Sequence, residues 1–259
     1  MMKETDWSTR PTEIEQYWLN NPELPEYRHQ MLMLIEEELR NNPKSTIMDC
    51  GCGTGLIFEY LADEFKDRYY GCDFTYEMVE YCKEKYPKHA DRFMRVDLTS
   101  MSLDEFTFFM GKNIYVTQNV IQHILMHQRA IESIAECADT IIMCERTHDL
   151  HTCLAGYEPA YRWRFNLKDF YDMLTFFTNE MQYLGDVEIM GQPLTTDKLE
   201  KAVTIFRVRR HEPWIVTEDM MMSYNEEYFI RKKMMVKEYI PKPRKRDRII
   251  KFFKSLNPF

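Results

Sequence analysis

The sequence predicts an α/β fold: a doubly wound, mostly parallel seven-stranded sheet with helices on both faces. Three observations carry that prediction. From Ser45 onward, short apolar runs alternate with helical patterns at a steady pitch. A glycine-rich turn, "DCGCGTG" at 49–55, separates the first run from the first helix. Acids stand at the ends of three successive runs, at Asp49, Asp73 and Asp97.

Residues 1–44 open with aromatics (Trp7, Tyr17, Trp18) and proline punctuation at Pro22 and Pro25. They close on "YRHQMLMLIEEELRNNP", whose periodicity predicts a helix stopping at Asn-Asn-Pro, so this segment is expected to form a helical N-terminal cap. The runs "STIMDC", "YYGCDF", "RFMRVD", "NIYVTQN" and "TIIMCE" predict five strands. "LIFEYLADEFKDR", "TYEMVEYCKEKY" and "HQRAIESIAECA" predict helices between them. "LKDFYDMLTFFTN" predicts a further helix, and "GDVEIM" and "KAVTIFRVRR" two more strands. Residues 45–212 thus form the expected main domain, with an irregular insertion at about 146–166. Residues 213–259 form an expected basic, helical tail.

Composition narrows the classes. The 259 residues suffice for one domain with extensions. No apolar run is long enough to span a bilayer, and "MMKETDWSTR" lacks the apolar core of a secretory leader, so the expected compartment is the cytoplasm. Net charge is −8, but residues 231–259 carry +9 and leave about −17 on the rest. An acidic body with a basic tail is not the footprint of a protein that lays its whole face on nucleic acid, which is not expected as a partner. The seven cysteines are odd in number, and only Cys50 and Cys52 are close. One intervening residue is tighter than a zinc pair, so no metal is expected and the cysteines read as small buried apolar residues.

Alternating glycines at 51, 53 and 55 let the backbone turn sharply and approach a ligand, just where a helix N-terminus offers unpaired N–H groups. That is the first βα turn of a Rossmann-like sheet. Asp73, at the tip of the next strand, is placed to accept from ribose hydroxyls.

The stretches "IMDCGCGTGLIFEYL", "YYGCDFTYEMVEYCKEKY", "RFMRVDLTSM" and "IYVTQNVIQHI" together resemble the class I S-adenosylmethionine-dependent methyltransferases over roughly residues 45–145. The loop departs from the dinucleotide form G-x-G-x-x-G, and the family's shorter E/D-x-G-x-G-x-G fits it. The resemblance implies S-adenosylmethionine (SAM) as cofactor and S-adenosylhomocysteine (SAH) as product. It places the backbone around Gly51, Cys52, Gly53 and Gly55 against the methionine part, with Asp49 near its ammonium group. It gives Asp73 the ribose and Asp97 the adenine amino group, with Phe74 or Leu98 over the ring faces. Thr117, Gln118 and Asn119 would close over the sulfonium.

"QNVIQHI" resembles a segment of small-molecule methyltransferases in which the histidine lies near the transferring methyl. His123 is then either a general base for a hydroxyl or amine or a packing residue. Substrate contacts are expected from Tyr17 and Trp18 and from the insertion, through His151, Tyr161, Arg162 and Arg164. The two arginines beside Trp163 either clamp an anionic group or form ordinary surface. The tail "PRKRDRIIKFFKSLNPF" would lie on an anionic membrane as a peripheral contact, bind RNA phosphates, or pair with the acidic body. The expected activity is methyl transfer to an O or N nucleophile of a small-molecule acceptor. The alternatives are a protein or RNA substrate docked through the tail, or a subunit of this fold that binds a partner without turnover.

Overall fold

The computed structural model describes residues 11, 13, 16, 20, 25–148, 152–154, 163–180, 187–189 and 202–209. By contact clustering, residues 1–213 form one unit and 214–259 another.

Five parallel strands occupy the predicted runs: β1 (Ile47–Cys50), β2 (Tyr69–Asp73), β3 (Phe93–Arg95), β4 (Ile114–Gln118) and β5 (Thr140–His148). They pair in the order β3-β2-β1-β4-β5. Beyond β5, β9 (Ala202–Arg209) runs antiparallel from Thr140↔Arg209 to Thr147↔Ala202, and β8 (Val187–Ile189) pairs antiparallel with β9. These seven strands are the expected mostly parallel sheet. Burial of β1 and β4 on both faces explains why their sequences read as continuous apolar runs rather than alternations.

Helix α1 (Pro25–Asn41) lays Tyr27, Met31, Ile35 and Leu39, one turn apart, on the sheet. They join Ile47, Val116, Ile142 and Ile205 in one core cluster. Two basic strand residues anchor the helix. Arg209 Nε donates to Glu38 Oε1 at 2.8 Å, and Arg207 Nη1 lies 3.5 Å from Glu37 and 3.6 Å from Glu38. The expected helix "LIFEYLADEFKDR" is two: α2 (Leu56–Tyr60) and α3 (Asp63–Lys66). Leu61 and Ala62 turn extended, with ψ of 137° and 141°, because Leu61 drops into the core and leaves α2 a single turn and a half.

Then come α4 (Tyr76–Lys85) and α5 (Leu103–Phe109), the latter closed by a reciprocal Ser102–Glu105 capping box. Helices α6 (His127–Cys137) and α7 (Leu167–Glu180) complete the set. Tyr115, on the opposite sheet face from Val116, donates to the Phe109 carbonyl at 2.5 Å, and Phe170 of α7 packs on Phe206. The second face is therefore covered too.

The region expected as an irregular insertion begins as strand. β5 runs to His148, and a short antiparallel pair follows, β6 (Cys153–Leu154) with β7 (Trp163–Asn166). Thr147 pairs with Phe165 of β7 on one edge and Ala202 of β9 on the other. β7 therefore shares an edge of β5 with β4, whose last partner is Cys144. β7 sits directly past the end of β4, with Glu145 and Arg146 between.

Candidate functional site

The site is built at the carboxyl ends of β1, β2 and β4, where the strand order reverses beside β1 and leaves a crevice. Gly51, Gly53 and Gly55 all adopt positive φ (80°, 53° and 77°), as the alternating pattern requires. Gly51 N and Cys52 N both donate to the Cys72 carbonyl, at 2.7 and 2.9 Å, so the tip of β2 fixes the loop. A Cβ at Gly51 would lie 2.5 and 2.7 Å from the Val120 methyl carbons, whereas one at Gly53 would meet nothing within 4 Å. The first glycine is there for packing against the turn after β4. The second opens onto free space.

Asp73 is half-buried at the end of β2. Its Oδ2 accepts from Gly53 N at 3.0 Å, and its Oδ1 accepts from Thr75 N and Thr75 Oγ1, both at 2.9 Å. The Phe74 N–H bears on the same carboxylate, so the protein's own donors hold Asp73 in place at the strand tip. Asp97 lies just past β3 and accepts from Thr99 N and Oγ1 at 2.9 and 2.7 Å. Leu98 beside it is buried, whereas Phe74 is exposed beneath the Arg95 guanidinium, 5.3 Å from its ring centre.

Asp49 is placed differently from its neighbours. It is the third residue of β1, buried, and its Oδ2 accepts the Tyr69 hydroxyl at 2.6 Å. Burial pushes its carboxyl up to about 7, with Asp73 adding to the rise. Its first role here is therefore beneath the loop, inside the sheet. The Cys50 and Cys52 thiols are buried beside it and raised well above the ordinary range, Cys50 mainly by burial and Cys52 mainly by its contact with Cys82. Thiols so placed are poor nucleophiles.

After β4 the chain turns at Asn119, the one non-glycine residue with positive φ (57°) among the described residues. Asn119 Nδ2 donates to Tyr27 Oη at 3.3 Å, which ties α1 to the crevice. Asn119 Oδ1 and Gln118 Nε2 are buried without hydrogen-bond partners. His123 follows on a 3-10 turn (Ile121–His123), half-buried, its backbone N–H bonded to the Val120 carbonyl at 2.9 Å.

Sequence reasoning missed four residues that the structure brings to this place. Glu145, fully buried on β5, accepts at Oε1 from Thr117 Oγ1 (3.0 Å), Val120 N (3.1 Å) and Ile121 N (3.2 Å), so it holds the turn that carries His123. Burial raises its carboxyl to about 7 against the pull of those bonds. It is a fourth acid closing a run, "TIIMCE", and that was the signal available. Tyr27 and Arg28, both buried, look like ordinary helix in the sequence. His127 is buried against Trp163 and Phe165, with ring centres 4.6 and 5.0 Å away. Burial lowers it to about 4, so it is neutral at physiological pH.

Of the expected substrate residues, Tyr17, Trp18, His151, Tyr161 and Arg162 lie outside the described residues, as does the tail. Arg164 stands in β7 opposite Cys153. Among the described residues no group of three or more His, Cys, Asp or Glu is placed to hold a metal ion, and no helix is long and apolar enough to cross a membrane.

The site's chemistry suits a nucleoside bearing an amino acid. Open space lies over Gly53, the Asp73 carboxylate holds the Gly53 N–H, and Gln118 Nε2 and Asn119 Oδ1 are buried without partners at the end of the adjoining strand. Comparison with known proteins bears on the fold. Residues 47–141 match the family model described as a methyltransferase domain. The methyltransferase domain of bacterial CtHen1 superposes with a TM-score of 0.52 at 16% identity, covering 70% of this chain and 97% of that one. The N-terminal domain of EvdMO1, solved with SAH and D-fucose, gives 0.55 at 10%, covering 70% and 83%. The small RNA methyltransferase HEN1 gives 0.54 at 15%, covering 72% and 26%. No curated protein matches the chain.

Proposed function

We propose that the chain, whose residues 47–141 match the family model described as a methyltransferase domain, is a class I SAM-dependent methyltransferase acting on an O or N nucleophile of a small-molecule acceptor. The observation that supports the acceptor class is that two elements border the crevice. Tyr27 of α1 hydrogen-bonds Asn119 on one side, and β7 continues past the end of β4 on the other. A site bordered on two sides favours a small molecule over a polymer lying across a flat face.

When bound, SAM supplies a methyl group already activated by the positive sulfur. What is left to the chain is alignment, exclusion of water and removal of a proton from a neutral acceptor. Gly51, Cys52, Gly53 and Gly55 would present main chain to the methionine part. Asp73 would accept from a ribose hydroxyl, and Asp97 from the adenine amino group with Leu98 and Phe74 beside it. Gln118 and Asn119 would border the reacting centre. His123 would take the acceptor's proton, on a turn that Glu145 holds from below.

The second reading, a protein or RNA substrate docked through the basic tail, draws on the +9 charge of residues 231–259. Deleting residues 241–259 separates the two. Turnover on a small acceptor is expected to persist in the truncated chain, and abolition would favour the macromolecular substrate.

A further inference from the structure

Beside the turn that carries His123, two buried nitrogen atoms sit within a cluster of aromatic rings. His127, the first residue of α6, and Trp163 of β7 meet edge to face, with ring centres 4.6 Å apart. Phe165 closes the cluster, 5.0 Å from His127 and stacked on Trp163 at 6.3 Å. Both α6 and β7 touch the 3-10 turn Ile121–His123. His127 Nδ1 and Trp163 Nε1 are buried without a hydrogen-bond partner among the described residues, and His127 as a whole is only 7% exposed.

Leaving two polar atoms buried and unpaired is costly, and a packing role alone would need neither nitrogen. An indole N–H can only donate, whereas a neutral imidazole nitrogen can accept. One group satisfies both if it accepts from the first and donates to the second, and a hydroxyl does so. The surroundings favour a neutral group over a carboxylate or an ammonium, because they are apolar. Leu125 and Met126, the two residues before His127, are exposed, and so is Leu154, which pairs in register with Trp163 across β6 and β7. These three form an apolar rim in front of the polar pair, and the unbranched Met126 can adapt to what passes it.

We propose that His127 and Trp163 form an acceptor-recognition subsite for a neutral hydroxyl carried on an apolar, ring-sized body, with Leu125, Met126 and Leu154 as its rim. The inference rests on the methyl-transfer reading and deepens it, because it names the acceptor class as a neutral alcohol or phenol.

The test titrates the full-length chain, without cofactor, with phenol, anisole and toluene, followed by NMR. These probes present a hydroxyl, an ether oxygen that accepts only, and no polar atom. Wild type should bind anisole more tightly than toluene, and phenol about fivefold or more tightly than anisole. Trp163→Phe should bring anisole within about twofold of toluene, and His127→Phe should bring phenol within about twofold of anisole. Each variant keeps an aromatic ring and loses one nitrogen, so toluene affinity should hold in both. Wild type that binds phenol no better than toluene, or binds neither, overturns the subsite. Variants that keep both preferences overturn it too, as does benzoate binding more tightly than phenol. The wild-type comparison decides by itself if a variant does not fold. Calorimetry with SAH runs alongside. A chain that prefers phenol but does not bind SAH refutes the methyl-transfer reading alone, and one that binds SAH without that preference refutes the subsite alone.

Discussion

Replacing Gly51 by alanine should damage the protein in two separable ways. The φ of 80° lies in the left-handed region, which costs an L-residue about 1–2 kcal/mol. The new methyl would also sit 2.5 and 2.7 Å from Val120 Cγ2 and Cγ1, where carbon atoms prefer about 3.5–4.0 Å. Val120 is β-branched and cannot swing both methyls aside, so relief must come from the turn or the loop, at about 1–3 kcal/mol. Together these give about 2–5 kcal/mol, a large share of the roughly 5–15 kcal/mol typical of a domain. Urea unfolding followed by circular dichroism would measure it in wild type, Gly51→Ala, Val120→Ala and the double variant. Trimming Val120 should return the packing part and leave only the backbone part, which makes a coupling of about 1–3 kcal/mol. A Gly51→Ala protein within about 0.5 kcal/mol of wild type, or a double variant no better than Gly51→Ala, would refute the close approach between loop and turn.

Asp73→Ala removes the acceptor of Gly53 N and Thr75 along with the proposed ribose contact, and should weaken SAH binding by about 2–4 kcal/mol in calorimetry; unchanged affinity would remove Asp73 from the site. Stability should also fall with rising pH. Asp49 and Glu145 have folded values near 7, above their usual carboxylate range, so their contribution is intact below about pH 4 and is lost as pH climbs through 7. At about 1.4 kcal/mol per pH unit, keeping them ionised costs on the order of 4 kcal/mol at Asp49 and 3 kcal/mol at Glu145. The urea midpoint should drop between pH 5 and 8, and Asp49→Asn should flatten that slope; an unchanged slope would contradict it. His123→Ala should cut turnover about 10²–10⁴-fold while sparing SAH affinity, and full turnover would leave His123 a packing residue.

Much of the scaffold was legible because its signals are local. Each parallel strand is a continuous apolar run, and each joining helix has its own periodicity, so strand order follows from alternation and the rules of crossover. The β6–β7 pair had no such signal. Two residues are too few to show a period, and the tail of β5 carries Arg146, Thr147 and His148, which read as a loop until β7 and β9 pair with them.

The site divides the same way. The positive φ of the glycines and the place of Asp73 at a strand tip were legible because their neighbours in sequence define them. Asp49 has a second side that its sequence neighbours do not show, because its Oδ2 accepts the hydroxyl of Tyr69, twenty residues on and beside it in the sheet. Tyr27 and Arg28 were invisible because nothing in a helical pattern reveals that its first turn ends above a strand some ninety residues away.

The shared edge of β5 has an evolutionary consequence. Its first half, Thr140–Cys144, belongs to the donor scaffold through β4, while Thr147 and His148 hold β7. The segment between His148 and Trp163 can therefore be exchanged or lengthened without disturbing a single pairing of β1, β2 or β4. Sequence drift on that side of β5 therefore leaves the ladder of β1, β2 and β4 as it stands.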